Sequence, residues 1–245
     1  MLQTMIRALV LLGIAVLTMG YDQQQRYDPQ PQVLYRATCV SDNAPVSPMT
    51  FSGITFSGLT DEDAVAIFVG VIQRAGTGIS AMTVDGTEML SVGGAGGGTN
   101  LITGFFRNRF VAINNAASVD IAVTLAGSIE SLVLCAWAVK GYESFAVSSG
   151  IATAADVAAG TLSLTTAFAQ APMGHAMGVC GSASAPDTTT WTQLTEREDS
   201  NNGELSYSNA DLQYTTYLPA GSATLAATCD TTGSSNVSGS LITNR

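Results

Sequence analysis

The chain has 245 residues, 46% of them apolar and 11% charged, with 25 glycines, which excludes a disordered tail and a collagen-like fibre. A chain of this length buries roughly 70–75% of the surface its unfolded form exposes, enough for one large all-β domain or two small ones. Nine Lys plus Arg against nineteen Asp plus Glu leave a net charge of -10; the basic residues form no cluster beyond Arg107 and Arg109, so no nucleic-acid partner is expected.

So low a charge content means that much of the exterior is Ser, Thr, Asn, Gln and Gly, or is covered by other subunits. At the N-terminus Arg7 precedes an almost wholly apolar run, Ala8 to Met19, too short to span a bilayer. Thr18 and Gly20 at the −3 and −1 positions fit a secretory signal cleaved after Gly20. If retained, the same run is an apolar arm that must bury itself against a neighbouring chain, because exposed it invites aggregation. Residues 21–32, rich in Gln with Pro29 and Pro31, read as an extended connector. The expected division is therefore 1–32, segment and connector, and 33–245, one β-sandwich domain.

From Val33 onward, short runs of Val, Ile, Phe, Thr and Ala are broken by Gly, Asn and Asp at strand spacing, the pattern of an antiparallel sandwich or barrel. Ile79 to Val84 and Thr87 to Val92 flank Asp85-Gly86, a pair suited to a tight type I′ hairpin. Gly93 to Gly98 fits neither the dinucleotide fingerprint nor a phosphate loop and reads as a flexible loop. Val119, Ile121, Val123 and Leu125 alternate with more polar neighbours, as do Ala223, Leu225, Ala227 and Cys229, giving two half-buried strands. Ala64 to Ile72 and Leu132 to Val139 are apolar on both faces and so predict burial on both sides. The cover is either a third layer of the same chain or the face of a neighbouring subunit. One short helix is expected at Ala154 to Ala159, with Thr153 as cap and Gly160 as stop.

The residues that could carry chemistry are few. His175 stands alone, which excludes multi-histidine metal sites, and with Met173, Met177 and Val179 around it reads as a partly buried strand residue. Cys39, Cys135, Cys180 and Cys229 show no C-x-x-C spacing. Their even number allows three disulfide pairings, but Cys135 and Cys229 lie on apolar strand faces, where a cysteine behaves as a small hydrophobe, and free thiols are expected. Glu196 and Glu198 share a face if extended, with Cα atoms roughly 6.5–7 Å apart, a spacing compatible with a glycosidase pair. Arg197 between them and the polar turn at Asp199 to Gly203 favour a solvated strand end. Asp61-Glu62-Asp63 is a weak calcium candidate, and Asn236-Val237-Ser238 a formal glycosylation sequon. Trp191, Tyr207, Tyr214 and Tyr217 either stack on sugars or pack in the core. No catalytic, cofactor or metal site is assigned.

The order of Ile54-Thr-Phe-Ser57, an acidic loop, Ala64 to Val71, Ile79 to Gly86, Leu132 to Val139 and Trp191-Thr-Gln-Leu-Thr-Glu-Arg-Glu-Asp199 resembles a β-sandwich family of structural proteins in tailed-phage virions. The resemblance spans about 170 residues and rests on short motifs. It implies a jelly-roll-like fold and a non-enzymatic virion component, a head decoration, head fibre or tail-associated subunit. The apolar arm and the doubly apolar strands add the expectation of a homo-oligomer, trimeric by preference, that contacts other virion proteins; a host-surface glycan is left open as a further partner. The alternative from another class is a secreted carbohydrate-binding or adhesive module with a cleaved signal peptide.

Overall fold

A computed structural model describes residues 33–60, 65–76, 78–95, 101–108, 113, 117–141, 150–157, 160–167, 175–183, 188–213, 224–231 and 237–244. All lie in one compact unit, Gln32–Arg245. The strands run β1 (Val33–Arg36), β2 (Val40–Asn43), β3 (Met49–Thr55), β4 (Val65–Arg74), β5 (Ile79–Val84) and β6 (Thr87–Ala95). Then come β7 (Leu101–Asn108), β8 (Ser118–Leu125), β9 (Ser131–Lys140), β10 (Gly150–Val157), β11 (Gly160–Ala167) and β12 (His175–Ser182). The last are β13 (Thr189–Thr192), β14 (Thr195–Asn201), β15 (Ser206–Gln213), β16 (Thr224–Thr231) and β17 (Val237–Asn244).

Every strand pairing is antiparallel, and the architecture is all-β and sandwich-like, as the turn spacing predicts. The largest sheet follows the order β1-β9-β4-β7-β6-β5-β8-β3, with β2 also paired to β9. It curls into a half-barrel, so that Ile54, Met82, Val84, Val119, Ile121 and Val123 pack against Val65, Ile67, Val69, Leu132 and Leu134. The Ser57 N–H donates to the Arg36 carbonyl at 3.3 Å and draws the end of the path back toward its beginning. The Asp85-Gly86 hairpin forms as expected, with φ of 46° and 74° at its two central residues.

Strands β4 and β9 lie side by side along ten residue pairs, Val65↔Lys140 to Arg74↔Ser131. Alternate side chains of each enter different cores: one row faces the half-barrel interior, while Ala66, Phe68, Ile72, Val133, Cys135, Trp137 and Val139 face a second sheet, β10-β17-β12-β15-β14. That middle sheet answers the question left by the doubly apolar strands. Their outer face is covered by the chain's own third layer, and no neighbouring subunit is needed to bury it. The fit is close: a side chain at Gly70 would meet Val179 Cγ1 at 2.4 Å. The opposite face of the middle sheet is covered by a three-stranded outer sheet, β11-β16-β13, through Leu162, Leu164, Ala176, Cys180, Ala210, Ala227, Cys229 and Leu241.

Two local expectations are corrected. Of the segment expected as a helix, Ala154 to Val157 belong to strand β10, which pairs with β17 from Gly150↔Thr243 to Val157↔Val237 with a bulge between Ala154 and Val157, while Ala158 and Ala159 lie outside the described residues. Six helical residues are too few to offset the cost of nucleation, whereas β17 offers a ready ladder. The first part of the glycine run is also strand: Gly93, Gly94 and Ala95 end β6 and pair with Phe105, Gly104 and Thr103. Gly96 to Gly98 lie outside the described residues, as do the N-terminal arm and connector up to Gln32.

Candidate functional site

The inward face of the middle sheet carries a fully buried carboxylate. Asp211 on β15 has no exposed side-chain surface, and three side chains converge on it. Arg36, the last residue of β1, approaches both oxygens: its Nη2 donates to Oδ1 at 2.7 Å and its Nε to Oδ2. Arg197 on β14 donates to Oδ1 from Nε and Nη2, both at 3.0 Å. The indole Nε1 of Trp137 on β9 donates to Oδ2 at 3.3 Å. The cluster thus joins β1 and β9 of the large sheet to β14 and β15 of the middle sheet.

His175 opens β12, beside β15, and is 1% exposed. Burial pulls its pKa down from 6.5 to about 4, against the opposing pull of Asp211 and with a smaller contribution from Arg36 in the same direction. The imidazole is therefore neutral at ordinary pH. Burial is deeper than the sequence suggests, and it follows from the position of His175 on the same face as Met177 and Val179, which pack into the second core.

The geometry of these groups is architectural. A general base needs a lone pair open to substrate, whereas both Asp211 oxygens accept donors fixed by strands. Glu196 and Glu198 are not a pair either. Glu196 registers with Ala210 and Glu198 with the adjacent Asn209, so Arg197 occupies a bulge. One inserted residue reverses the alternation, and the two carboxylates fall on opposite faces of the sheet. Glu198 turns inward and its Oε2 accepts from the Cys39 N–H at 2.9 Å. Glu196 faces the other way, toward Asp199; partial burial and that neighbour's charge raise its pKa. Asp199 is raised by partial burial too, offset by the Thr189 N–H that donates to its Oδ2 at 3.0 Å. The shared face predicted for an uninterrupted strand is therefore corrected by the bulge.

The cysteines are the second correction. Cys39 is bonded to Cys135 and Cys180 to Cys229. The break between β1 and β2 sets Cys39 beside β9, and the second bond crosses from β12 of the middle sheet to β16 of the outer one. Apolar strand faces hold Cys135 and Cys229, as expected, but each is opposed by a second sulfur and bonded to it, so the expected free thiols are disulfides. Asn209 Nδ2 lies 2.8 Å from the Cys39 sulfur.

Of the aromatics, Tyr207 is 6% exposed and belongs to the second core. Trp191 is half-buried, its Nε1 donating to Ser208 Oγ at 2.8 Å, and its ring fills the space over Gly178, where a Cβ would lie 2.8 Å from Cη2. Tyr214, Tyr217, Asp61 to Asp63 and Asn236 lie outside the described residues. Ser238 of the sequon is buried and donates to the Leu101 carbonyl at 3.3 Å. Among the described residues no group of three or more His, Cys, Asp or Glu is placed to hold a metal ion, and no helix is long and apolar enough to cross a membrane.

No motif in the sequence marks Asp211. Its signal is a lone acid inside Ser206-Tyr-Ser-Asn-Ala-Asp211, at the same parity as the buried Tyr207. Arg36, 175 residues away in sequence, gives no hint of being its partner. Compared with protein families, curated proteins and solved structures, the chain has no match in any of the three.

Proposed function

We propose that this chain is a non-enzymatic structural subunit of a tailed-phage or phage-like virion, a head decoration, head fibre or tail-associated protein. The observation that carries this is the use made of its interior charge: Asp211, Arg36 and Arg197 hold layers together, and Glu198 straps the middle sheet to the Cys39 loop. The sequence resemblance supplies the particle. A stacked β body suits a subunit that must persist outside a cell, and disulfides endure on virion surfaces. The apolar segment Ala8 to Met19 supplies the contact with neighbouring copies or other virion proteins, and the oligomer is a trimer by preference. The test is incorporation: deletion of residues 1–32 is expected to abolish assembly into particles, and the proposal fails if the truncated chain is incorporated normally and the full chain stays monomeric at high concentration.

A secreted carbohydrate-binding or adhesive module is the second reading, favoured by the pairing of all four cysteines. Two disulfides are characteristic of an oxidising compartment, and a signal cleaved after Gly20 would deliver the chain there. Mass spectrometry of the native protein separates the two. Peptides upstream of Gly20 in purified particles support the virion subunit; a mature chain beginning at Tyr21, free of particles, supports export.

A further inference from the structure

The two disulfides occupy different kinds of position. Cys180 lies on β12, flanked by β15 and β17, and Cys229 on β16, flanked by β11 and β13. Both are interior strands of their sheets, both residues belong to the core between the two layers, and neither has exposed surface. A reagent reaches that bond only when the outer sheet parts from the middle one.

Cys39 lies instead in the break between β1 and β2, two strands of four residues whose only ladders among the described residues are with β9. It follows the exposed Thr38 and is 7% exposed, the highest of the four cysteines. Its N–H donates to a side chain, Glu198 Oε2 at 2.9 Å, and Asn209 Nδ2 donates to its sulfur at 2.8 Å. Its partner Cys135 is held in β9 opposite Gly70 of β4 and is 1% exposed. Short strands at an edge open locally at a fraction of the free energy that core strands require, so access to the first bond comes through the segment 33–43 while the layers stay together.

We propose that Cys39–Cys135 is a thiol-operated latch on residues 33–43, opened in the folded protein by low-molecular-weight thiols such as glutathione while Cys180–Cys229 stays closed. The reductant's thiolate attacks the more exposed Cys39 sulfur, the S–S bond breaks, and Cys135 leaves as a thiolate that takes up the proton the reductant has lost. A second reductant thiolate then attacks the reductant's own sulfur in the mixed disulfide. Cys39 leaves with the bonding pair and is protonated in turn, so two thiols become one disulfide and the protein disulfide becomes two thiols. The Asn209 N–H on the departing sulfur favours its charged form. Cys135 stays in the core as a small hydrophobe, and 33–43 is left with its two short ladders and the Arg36–Asp211 contact.

The latch stands apart from the particle and export readings, since both carry the chain from a reducing cell to an oxidising exterior, where an oxidised thiol of the same class reverses the exchange. Its test uses the full chain with both bonds formed, exposed to reduced dithiothreitol in native buffer, with timed alkylation and peptide mass spectrometry. Cys39 and Cys135 should be labelled at least tenfold faster than Cys180 and Cys229. Hydrogen exchange should rise across 33–43 on reduction and fall again when oxidised glutathione restores the bond. Equal rates, the reverse order, no reduction short of denaturant, or exchange at 33–43 that ignores the state of the bond overturns the proposal. Glu198→Gln weakens the hold on the Cys39 N–H from a partly exposed position and should speed loss of Cys39–Cys135 about fivefold, with Cys180–Cys229 unchanged. An unchanged rate at Cys39–Cys135, or acceleration of both bonds alike, also overturns it, the latter because reduction would then proceed through global unfolding.

Discussion

The middle sheet is joined to its two neighbours in different ways. Toward the large sheet it presents Met177, Val179, Tyr207 and Ile242 to Phe68, Ile72, Phe105 and Trp137, a broad contact between large side chains. Within that contact, attraction is concentrated in a single buried carboxylate with two guanidinium partners. Toward the outer sheet it presents Ala176, Cys180, Ala210, Val237 and Leu241 to Ala227, Cys229 and the two leucines of β11. Among the described residues no fully buried aromatic ring contributes there, and a covalent bond supplements the contact. A wide core can accommodate a charged cluster because its own burial is ample, whereas a thin layer over small residues relies on a staple, as small disulfide-rich domains do.

The difference can be broken most sharply at Asp211. Asp211→Ala removes the acid shared by Arg36 and Arg197 and should lower the unfolding free energy by about 3–5 kcal/mol, toward the lower figure because both arginines are about one-third exposed. Denaturant titration measures this. Replacing all three groups by apolar ones, Asp211→Leu with Arg36→Met and Arg197→Met, should recover most of the loss; no recovery would mean that the cluster's shape, and not its charge balance, matters. At the other interface, Cys180→Ala with Cys229→Ala opens a loop of 49 residues and should cost about 2–4 kcal/mol. Hydrogen exchange should then rise in β11, β13 and β16 while β4 and β9 keep their protection.

Acid probes the first interface again. The folded-state pKa of His175 lies below its unfolded value, so the unfolded chain takes the proton first. Stability therefore falls as pH drops from 6.5 to about 4 and levels off below, by at most about 3 kcal/mol. Glu196 and Asp199, whose pKa values are raised, favour the folded state at low pH and oppose the trend weakly, since both are largely solvated. Comparing the wild type with His175→Gln isolates the imidazole, and an unchanged pH profile would sink this account. The smallest effects belong to the two glutamates. Glu198→Gln weakens a charge-assisted bond to the Cys39 N–H and should cost about 1 kcal/mol, whereas Glu196→Gln should stay within about 0.5 kcal/mol.

Much of the fold is legible in local pattern because alternation and turn chemistry act over a few residues. The Asp85-Gly86 hairpin and the doubly buried β4 and β9 follow directly from their sequences. What alternation could not supply was the partner across the core: β4 and β9 demand a cover, and nothing in either says that β12, β15 and β17 provide it. The cysteines fail for the same reason, since apolar flanks describe where a sulfur sits and not whether another sulfur faces it. The face shared by Glu196 and Glu198 on an uninterrupted strand is lost because the bulge is set by the register of β15, invisible from β14 alone. The strand formed by Gly150 to Val157 likewise depends on β17, some eighty residues further on.

The interruption between β1 and β2 also determines how the body bears load. A pull on the chain where it enters at Val33 works against a strand of four residues and then against the Arg36–Asp211 contact. Peeling can proceed no further than Cys39, where the covalent bond to Cys135 delivers the force into β9, buried along nine of its ten residues. A tether attached at this end is thus anchored in the centre of the stack, and its mechanical limit is the strength of that disulfide and the β4–β9 ladder behind it.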